Sequence, residues 1–404
     1  MGAARYPVEC RRRFHGIPGC AHNPPNDRTH TAEGATLFRP TSLLPACAEI
    51  TAGAACNATY IGTHLDRIAL LKTWLETQFP NQPFSLAPAS ADASFRRYFR
   101  ASFADPSRHS LIVMDAPPAH EDCKPFLHVA QVFGEAGAHV PQVLAHDLAQ
   151  GFLLLTDLGS TTYLQALQEN PDQADSLYRD AVAALVQIQC ASQTAVLPDY
   201  DEALLRRELD LFPDWYIARH LNIPLSPAQT ASLQQVFATL LQNNLAQPQV
   251  YVHRDYHSRN LMRIAANAGN PNPGILDFQD AVFGPVTYDL VSLFKDAYIA
   301  WDEERVLDWS IRYWEKAKRA GLPIQTDFAD FYRDFEWMGA QRHIKVLGIF
   351  ARLCHRDGKA GYVQDMPQVM DYLRKTCKRY QALHPMLILL DELHGVEKKV
   401  GHTF

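Results

Sequence analysis

The residues of this chain that are best suited to chemistry lie in two short segments, His253–Asn260 and Ile275–Asp280. Asp255 has the carboxylate of a general base that could accept the proton of an incoming hydroxyl group. Asn260 and Asp277 offer an amide oxygen and a carboxylate oxygen, which are the hard ligands that Mg²⁺ prefers. Because phosphoryl transfer mainly requires alignment of the acceptor and neutralisation of charge, these residues suit that reaction. We predict Asp255 as the catalytic base and Asn260 and Asp277 as metal ligands.

A short apolar run precedes the polar residues of each segment. Val250–Val252 and Gly274–Leu276 are partly β-branched, which predicts two strands that hold the loop and deliver Asp277 to a strand end. The alternative is a solvated loop that contains these residues by chance. Agreement of residue type, spacing and strand context argues against that alternative.

Three further segments have a distinctive composition: Ala93–Arg100, Val113–Pro118 and Asp277–Pro285. From about residue 65 to residue 385, the chain resembles the aminoglycoside phosphotransferase and choline kinase superfamily, relatives of the protein kinases. The three segments resemble one branch more closely, the anomeric N-acetylmuramate/N-acetylglucosamine kinases of bacterial cell-wall recycling. The resemblance implies an α+β, protein-kinase-like fold of two lobes. Residues 63–158 would form a small N-lobe with an antiparallel sheet, residues 159–390 a larger, mainly helical C-lobe, and residues 391–404 a tail.

The same resemblance implies ATP and Mg²⁺ as cofactors and an active site in the cleft between the lobes, where pockets tend to form. Ser90–Phe95 would cover the phosphates, since its small residues let backbone N–H groups approach, although it lacks glycine and taken alone is an ordinary turn. Leu155–Leu158 would be the hinge beside the adenine. The residues expected to contact nucleotide are Ser94, Phe95, Arg96, Arg97, Thr156 and Leu158.

One departure from the family pattern concerns a lysine. Most relatives carry a phosphate-binding Lys on the strand Leu111–Asp115, but Met114 or Asp115 stands at that place. Because the phosphates still need a cation besides Mg²⁺, another residue could replace the lysine, and the nearest candidates are Arg96, Arg97, Arg100 and Lys124. The period of two in a strand puts Arg96 and Arg100 on one face and Arg97 on the other, and the sequence leaves open which face meets ATP.

The acceptor side is the least determined part of the site. The substrate candidates next to the metal and base residues are His257, Arg259, Gln279 and Asp280, although His257 and Arg259 could equally shape the loop. A later helical face adds Arg342, His343, Lys345, Arg352 and His355, with a merely solvated face as the alternative. Three further residues are interpreted as structural supports of the loop: His253, Arg254 and Asp289.

Composition is consistent with an enzyme of this kind. A chain of 404 residues with 47% hydrophobic content can bury a sizeable core. A net charge of -6 argues against an obligate nucleic-acid binder, and no apolar run is long enough to span a bilayer. The eight cysteines are scattered, without a CxxC pair or zinc spacing, which favours a reducing cytoplasm. We expect a cytoplasmic monomer.

Periodicity predicts the remaining elements. Strands are expected at residues 95–102, 110–115, 142–145 and 151–156. Helices are expected at residues 63–79, 122–136, 171–189, 227–245, 302–320, 327–353 and 366–383.

The first 62 residues lack a sustained helical or strand period, which predicts a disordered extension. Its arginines suggest a transit peptide, but its acids argue against one, and an upstream translation start is the plainer explanation. Removal of the residues before Thr63 is therefore expected to leave activity and melting temperature almost unchanged. A large drop in either quantity for the truncated protein would show that the extension docks on the core.

The sequence hypothesis is an ATP-dependent kinase for the anomeric hydroxyl of N-acetylmuramate and N-acetylglucosamine. Two alternatives remain. One is a kinase for another small hydroxylated acceptor, such as an aminoglycoside or choline. The other is a pseudokinase that binds nucleotide without transferring phosphate, against which the joint presence of Asp255, Asn260 and Asp277 argues.

Overall fold

The structure is a computed structural model, and it describes residues 67–91, 95–265 and 271–396. Its N-terminal part is a five-stranded antiparallel sheet in the order β1-β2-β3-β5-β4. The strands are β1 (Phe84–Ala91), β2 (Arg97–Phe103), β3 (Leu111–Asp115), β4 (Val143–Asp147) and β5 (Phe152–Thr156). The sequence predicted four of these strands to within about two residues but missed β1.

A helix covers each face of this sheet. Helix α1 (residues 67–78) packs its Leu71 and Trp74 against a face that includes Phe99, while α2 (Lys124–Glu135) lies over the opposite face. Alternate residues of each strand point to opposite faces of the sheet. The positions of the two helices therefore decide which strand residues pack against α1 and which lie on the side of α2. The predicted helix 63–79 is confirmed from residue 67, and its first residues lie outside the described part.

The C-terminal part is mainly helical, which confirms the α+β, kinase-like fold. Its helices are α3 (Tyr163–Glu169), α4 (Ala174–Cys190), α5 (Glu202–Leu211), α6 (Pro227–Ala246), α7 (Tyr288–Phe294), α8 (Glu303–Arg319), α9 (Phe328–His355), α10 (Met366–Arg379) and α11 (His384–Leu393). The predicted start of the tail at residue 391 falls inside α11. None of the helices in the described residues is long and apolar enough to cross a lipid bilayer.

Helix α9 is the central element of this part. It begins at the cap residue Asp327, whose side chain accepts from the backbone N–H of Ala329, and most of its length is buried. Gly348 lets α9 approach the end of α5, because a Cβ there would lie 2.5 Å from the carbonyl carbon of Leu211. A π-helix, Phe212–Leu221, follows α5 directly and packs on α9.

Two small antiparallel sheets frame the predicted catalytic loop. Strand β6 (Gln249–Val252) pairs with β9 (Val282–Pro285), and β7 (Leu261–Met262) pairs with β8 (Gly274–Ile275). The loop 253–260 leaves β6 and enters β7, and the segment 276–281 joins β8 to β9. The antiparallel pairing therefore brings the two sequence motifs together.

Candidate active site

A cavity of about 640 Å³ lies between the N-terminal sheet and the helical part. Its walls come from β2, β3, the hinge after β5, the loop 253–260 and α9. Among the described residues of the predicted site, those that line it are Thr156, Leu158, Asp255, His257, Arg259, Asn260 and Asp277. The predicted cleft between lobes is therefore present.

The loop 253–260 is held by buried hydrogen bonds. Both oxygens of Asp289 accept from the backbone, at 2.7 Å from the His253 N–H and 3.0 Å from the Arg254 N–H. His253 is fully buried, its Nε2 lies 2.9 Å from the Leu276 carbonyl, and burial lowers its pKa to about 4. These contacts confirm His253 and Asp289 as structural supports.

Arg254 has a structural role as well. Its guanidinium pairs with the buried Glu208, and its backbone adopts a left-handed φ of 75°. A non-glycine residue in this region is uncommon, and such positions cluster in functional sites where the surroundings hold them. Here the backbone of Arg254 is held by the ion pair of its guanidinium with Glu208 and by the hydrogen bond from its N–H to Asp289.

Asp255 lies deep inside the protein, but its carboxylate is open to the cavity. Its side chain is 41% exposed, and this exposure is to the cavity that it lines. Burial within the protein raises the pKa, but Lys345 and Arg342, with smaller effects from other cations, lower it to about 2. The carboxylate is therefore ionised throughout the neutral range, as a proton acceptor must be.

Asn260 and Asp277 lie side by side. The Asn260 Nδ2 donates to the Asp255 carbonyl at 3.0 Å and to the Asp277 carboxylate at 3.3 Å, while Gln279 donates to the other Asp277 oxygen at 2.7 Å. Asp277 also has a left-handed φ of 63°. The amide thus keeps its oxygen for another partner.

This pair of donors fits Mg²⁺ held jointly with ATP phosphates. Mg²⁺ in such sites typically takes one or two protein oxygens and leaves its other positions to phosphate and water. Among residues 67–91, 95–265 and 271–396, no group of three or more His, Cys, Asp or Glu side chains could hold a metal by itself. Asn260 and Asp277 would therefore hold the metal together with the nucleotide.

Four of the six predicted nucleotide residues fall into three groups. Thr156 and Leu158 line the cavity at the hinge. Ser94 lies outside the described residues, as do residues 92 and 93. Phe95 is 58% exposed, stacks on His120 with ring centroids 4.5 Å apart, and is not among the described residues that line the cavity.

The face of Arg97 corrects one sequence assignment. Arg97 lies on the face of β2 that α1 covers, where the fully buried Asp115 accepts from Arg97 Nε and from Arg67 Nε at 3.0 Å each. Its neighbour Phe99 packs in the same cluster as α1. We therefore assign Arg97 to the packing of α1 on the sheet rather than to nucleotide binding.

The opposite face of β2 looks toward the cavity. Tyr98 and Arg100 both line it, and the Arg100 Nε donates to Asp157 in the hinge at 2.6 Å. Met114 pairs opposite Tyr98 and shares this face, whereas Asp115 does not. The position of the missing lysine is therefore Met114, which is fully buried among apolar side chains.

Arg96 lies close enough to Asp277 for the two charges to interact. Its Nε and Nη2 each lie 3.0 Å from Oε2 of Glu121, just before α2. Burial lowers the pKa of Arg96, but the acidic groups around it raise the pKa above its ordinary value overall. These groups are Tyr98, Glu121, Asp277 and Asp280. Arg96, the residue before β2, thus forms an ion pair with Glu121 in the segment before α2.

Replacement of Arg96 with Gln is expected to weaken ATP use by about 1.5–3 kcal/mol, the scale of a hydrogen bond to a charged group. Replacement of Arg97 with Gln is expected to leave the ATP constants unchanged and to lower the free energy of unfolding, because Asp115 would lose one of its two partners. Steady-state kinetics and thermal melting separate the two outcomes. If neither ATP KM nor kcat changes more than twofold in R96Q, the phosphates must depend on other groups.

Of the four acceptor candidates, two line the cavity in the structure and two do not. His257 and Arg259 line the cavity, both beside Tyr298, and the buried Nδ1 of His257 has no hydrogen-bond partner. Gln279 contacts Asp277, and Asp280 is exposed; neither is among the described residues that line the cavity. His257 and Arg259 therefore remain the better substrate candidates.

One face of α9 forms the far wall of the cavity. Arg342 and Lys345 line it and are only 7% and 5% exposed, so the alternative of a solvated face is wrong for these two residues. Glu208 of α5 was not predicted as a site residue. Its carboxylate forms ion pairs with Arg254 and Lys345. The residues around Glu208 in the sequence have the pattern of an ordinary amphipathic helix. Nothing in that pattern distinguishes Glu208 from a solvent-exposed glutamate.

Fold and site together define a kinase-like phosphotransferase. A family model described as "Phosphotransferase enzyme family" matches residues 85–322. The N-acetylmuramate/N-acetylglucosamine kinase of Neisseria meningitidis is 50% identical over 343 residues, which cover 84% of this chain and 100% of that protein. The protein of the same name from Pseudomonas aeruginosa is 50% identical over 337 residues, covering 81% and 97%. The chain belongs to this phosphotransferase family.

A solved structure supports the fold separately. The choline kinase of Cryptosporidium parvum matches with a TM-score of 0.52 at 11% identity, over 76% of this chain and 93% of that one. At this identity the likeness concerns the fold alone.

Proposed function

We propose that this protein is an ATP-dependent kinase that phosphorylates the anomeric hydroxyl of N-acetylmuramate and N-acetylglucosamine. The observation that carries the proposal is the ionised Asp255 carboxylate, open to the cavity. It lies beside Asn260, whose amide donates to the Asp255 backbone carbonyl and to the Asp277 carboxylate. The 50% identity to kinases named for these two sugars supports the choice of acceptor. The product would be a sugar 1-phosphate that feeds salvage of cell-wall sugars in the cytoplasm, where ATP is supplied.

Each residue of the site has a separate task in this proposal. Asp255 orients the acceptor hydroxyl and takes its proton, for which an anomeric hydroxyl is well suited because it is more acidic than an ordinary alcohol. Asn260 and Asp277 hold Mg²⁺, which when bound neutralises the phosphate charge. The hinge residues Thr156 and Leu158 bind the adenine side.

The charges of the acceptor wall favour a sugar over a cationic acceptor. An aminoglycoside or choline would meet the buried cations Arg342 and Lys345, which repel positive charge at short range in a poorly hydrated pocket. The complete set of Asp255, Asn260 and Asp277 favours an active enzyme over a pseudokinase.

The test is Mg²⁺-dependent release of ADP with a panel of acceptors. We expect release with N-acetylmuramate and N-acetylglucosamine and none above background with an aminoglycoside or choline. Release with the cationic acceptors alone would refute the choice of acceptor, and no release with any of them would favour the pseudokinase.

A further inference from the structure

The acceptor end of the cavity holds a dense group of charged side chains. We call it the basic cluster and define it as Arg254, Arg342, Lys345, Glu208 and Asp255. The Lys345 Nζ lies 2.8 Å from Glu208, Arg254 pairs with the same carboxylate, and the Arg342 Nη2 lies 4.0 Å from Asp255. Three cations thus share two carboxylates.

The basic cluster therefore carries one positive charge in excess, three minus two. Asp289 is the next acidic group, and it already accepts two backbone N–H groups. Burial raises its pKa to about 7, so near neutral pH it offsets only part of that charge. Buried charge without full compensation is costly, which favours an anionic ligand at this place.

Two of the cations open into the cavity. Arg342 and Lys345 line it, whereas Arg254 is not among the described residues that do. The Lys345 ammonium has three N–H donors and contacts Glu208 and the Tyr288 hydroxyl, both at 2.8 Å. The ammonium can therefore donate to a further acceptor that enters the cavity.

The wall next to these cations is apolar. Val346, Ile349 and Phe350 continue the same face of α9 along the cavity. This apolar surface suits the uncharged body of a ligand whose anionic group lies at Arg342 and Lys345. That description excludes a cationic acceptor and fits a neutral sugar ring with one acidic substituent.

We propose that Arg342 and Lys345 form a subsite for the carboxylate of the acceptor, so that they bind the acidic ether substituent of N-acetylmuramate and have no such partner in N-acetylglucosamine. This inference rests on the proposed function. It makes the two residues determinants of the preference between the two sugars. Arg259 and His257, which also line the cavity, are left to the parts that the two sugars share.

The test compares both sugars in R342Q and K345Q. Because both cations also act on Asp255, kcat should fall by one common factor for the two acceptors. The KM for N-acetylmuramate alone should rise, by about 10–100-fold, the effect of losing a hydrogen bond between charged partners. R333Q, which removes an exposed cation from the same helix, should change neither constant.

A second arm removes the charge from the ligand instead of the protein. The methyl ester of N-acetylmuramate should be used by the wild type with the raised KM that the variants show for the acid, and the variants should add little to it. The wild-type half of this arm needs no variant to fold.

Three results would overturn the subsite. One is a change of less than twofold in the preference between the sugars in both variants, and another is equal use of the ester and the acid by the wild type. The third is a rise in ATP KM in place of acceptor KM, which would assign the cations to the transferred phosphate. If the wild type phosphorylates neither sugar, the proposed function fails instead.

Discussion

Replacement of Asp255 with Asn is expected to lower kcat by about 10²–10⁴-fold while ATP binding stays nearly intact. Asn has the same shape, but it cannot take the proton of the acceptor hydroxyl. The backbone carbonyl that orients Asn260 remains, so the metal-ligand pair should keep its geometry. Turnover of the acceptor and calorimetric titration with ATP measure the two effects separately.

The control is the same change at a carboxylate elsewhere. Asp308 is half exposed on α8 and pairs with Arg312 one turn later in the helix, so D308N should have wild-type turnover. Wild-type turnover in D255N would mean that another group accepts the proton, and the assignment of the base would be wrong.

Replacement of Asp277 is expected to abolish the Mg²⁺-dependent part of nucleotide binding. Asp277→Ala removes the carboxylate, and Asp277→Asn removes only its charge while keeping a residue that tolerates the left-handed φ of 63°. Agreement of the two variants would assign the loss to the carboxylate rather than to the backbone. ATP titrations with and without Mg²⁺ give the measurement, and the values without Mg²⁺ serve as the control.

The result that contradicts this assignment is Mg²⁺ enhancement of ATP binding at its wild-type size in D277N. The metal would then depend on other oxygens, and Asn260 would be the first residue to replace. A loss in D277A alone would point to backbone strain, since Ala is disfavoured at this φ.

The catalytic loop could be predicted because its information is local. Residues 253–260 and 276–280 carry their chemistry within short segments, and the apolar runs before them predicted β6 and β8. Long helices such as α9, expected at 327–353 and found at Phe328–His355, have many periodic positions that agree with one another. Such elements are set mainly by their own sequence.

The faces of β2 could not be predicted for a physical reason. A period of two separates Arg97 from Arg96 and Arg100, but it does not say which side a helix covers. That choice depends on α1, whose Leu71 and Trp74 pack under Phe99. It is a contact between segments distant in the sequence.

The pairing of charges in the basic cluster could not be predicted for a related reason. Glu208, Arg254 and Lys345 lie on three elements far apart in the chain, and only their packing puts them together. By itself, each residue resembles an ordinary charged side chain of a surface helix or loop. The pairing of buried charges is a property of the tertiary structure. A single sequence does not show which distant charged residues come into contact.

The most direct test of the account is to identify the atom that receives the phosphate. The product formed from ATP and N-acetylmuramate or N-acetylglucosamine should be examined by phosphorus NMR correlated with proton and carbon shifts. For a kinase of the anomeric hydroxyl, the phosphorus should couple to the anomeric carbon of the ring and to its proton. Coupling to the hydroxymethyl carbon at position 6, or a phosphorylated product only with an aminoglycoside, would contradict it.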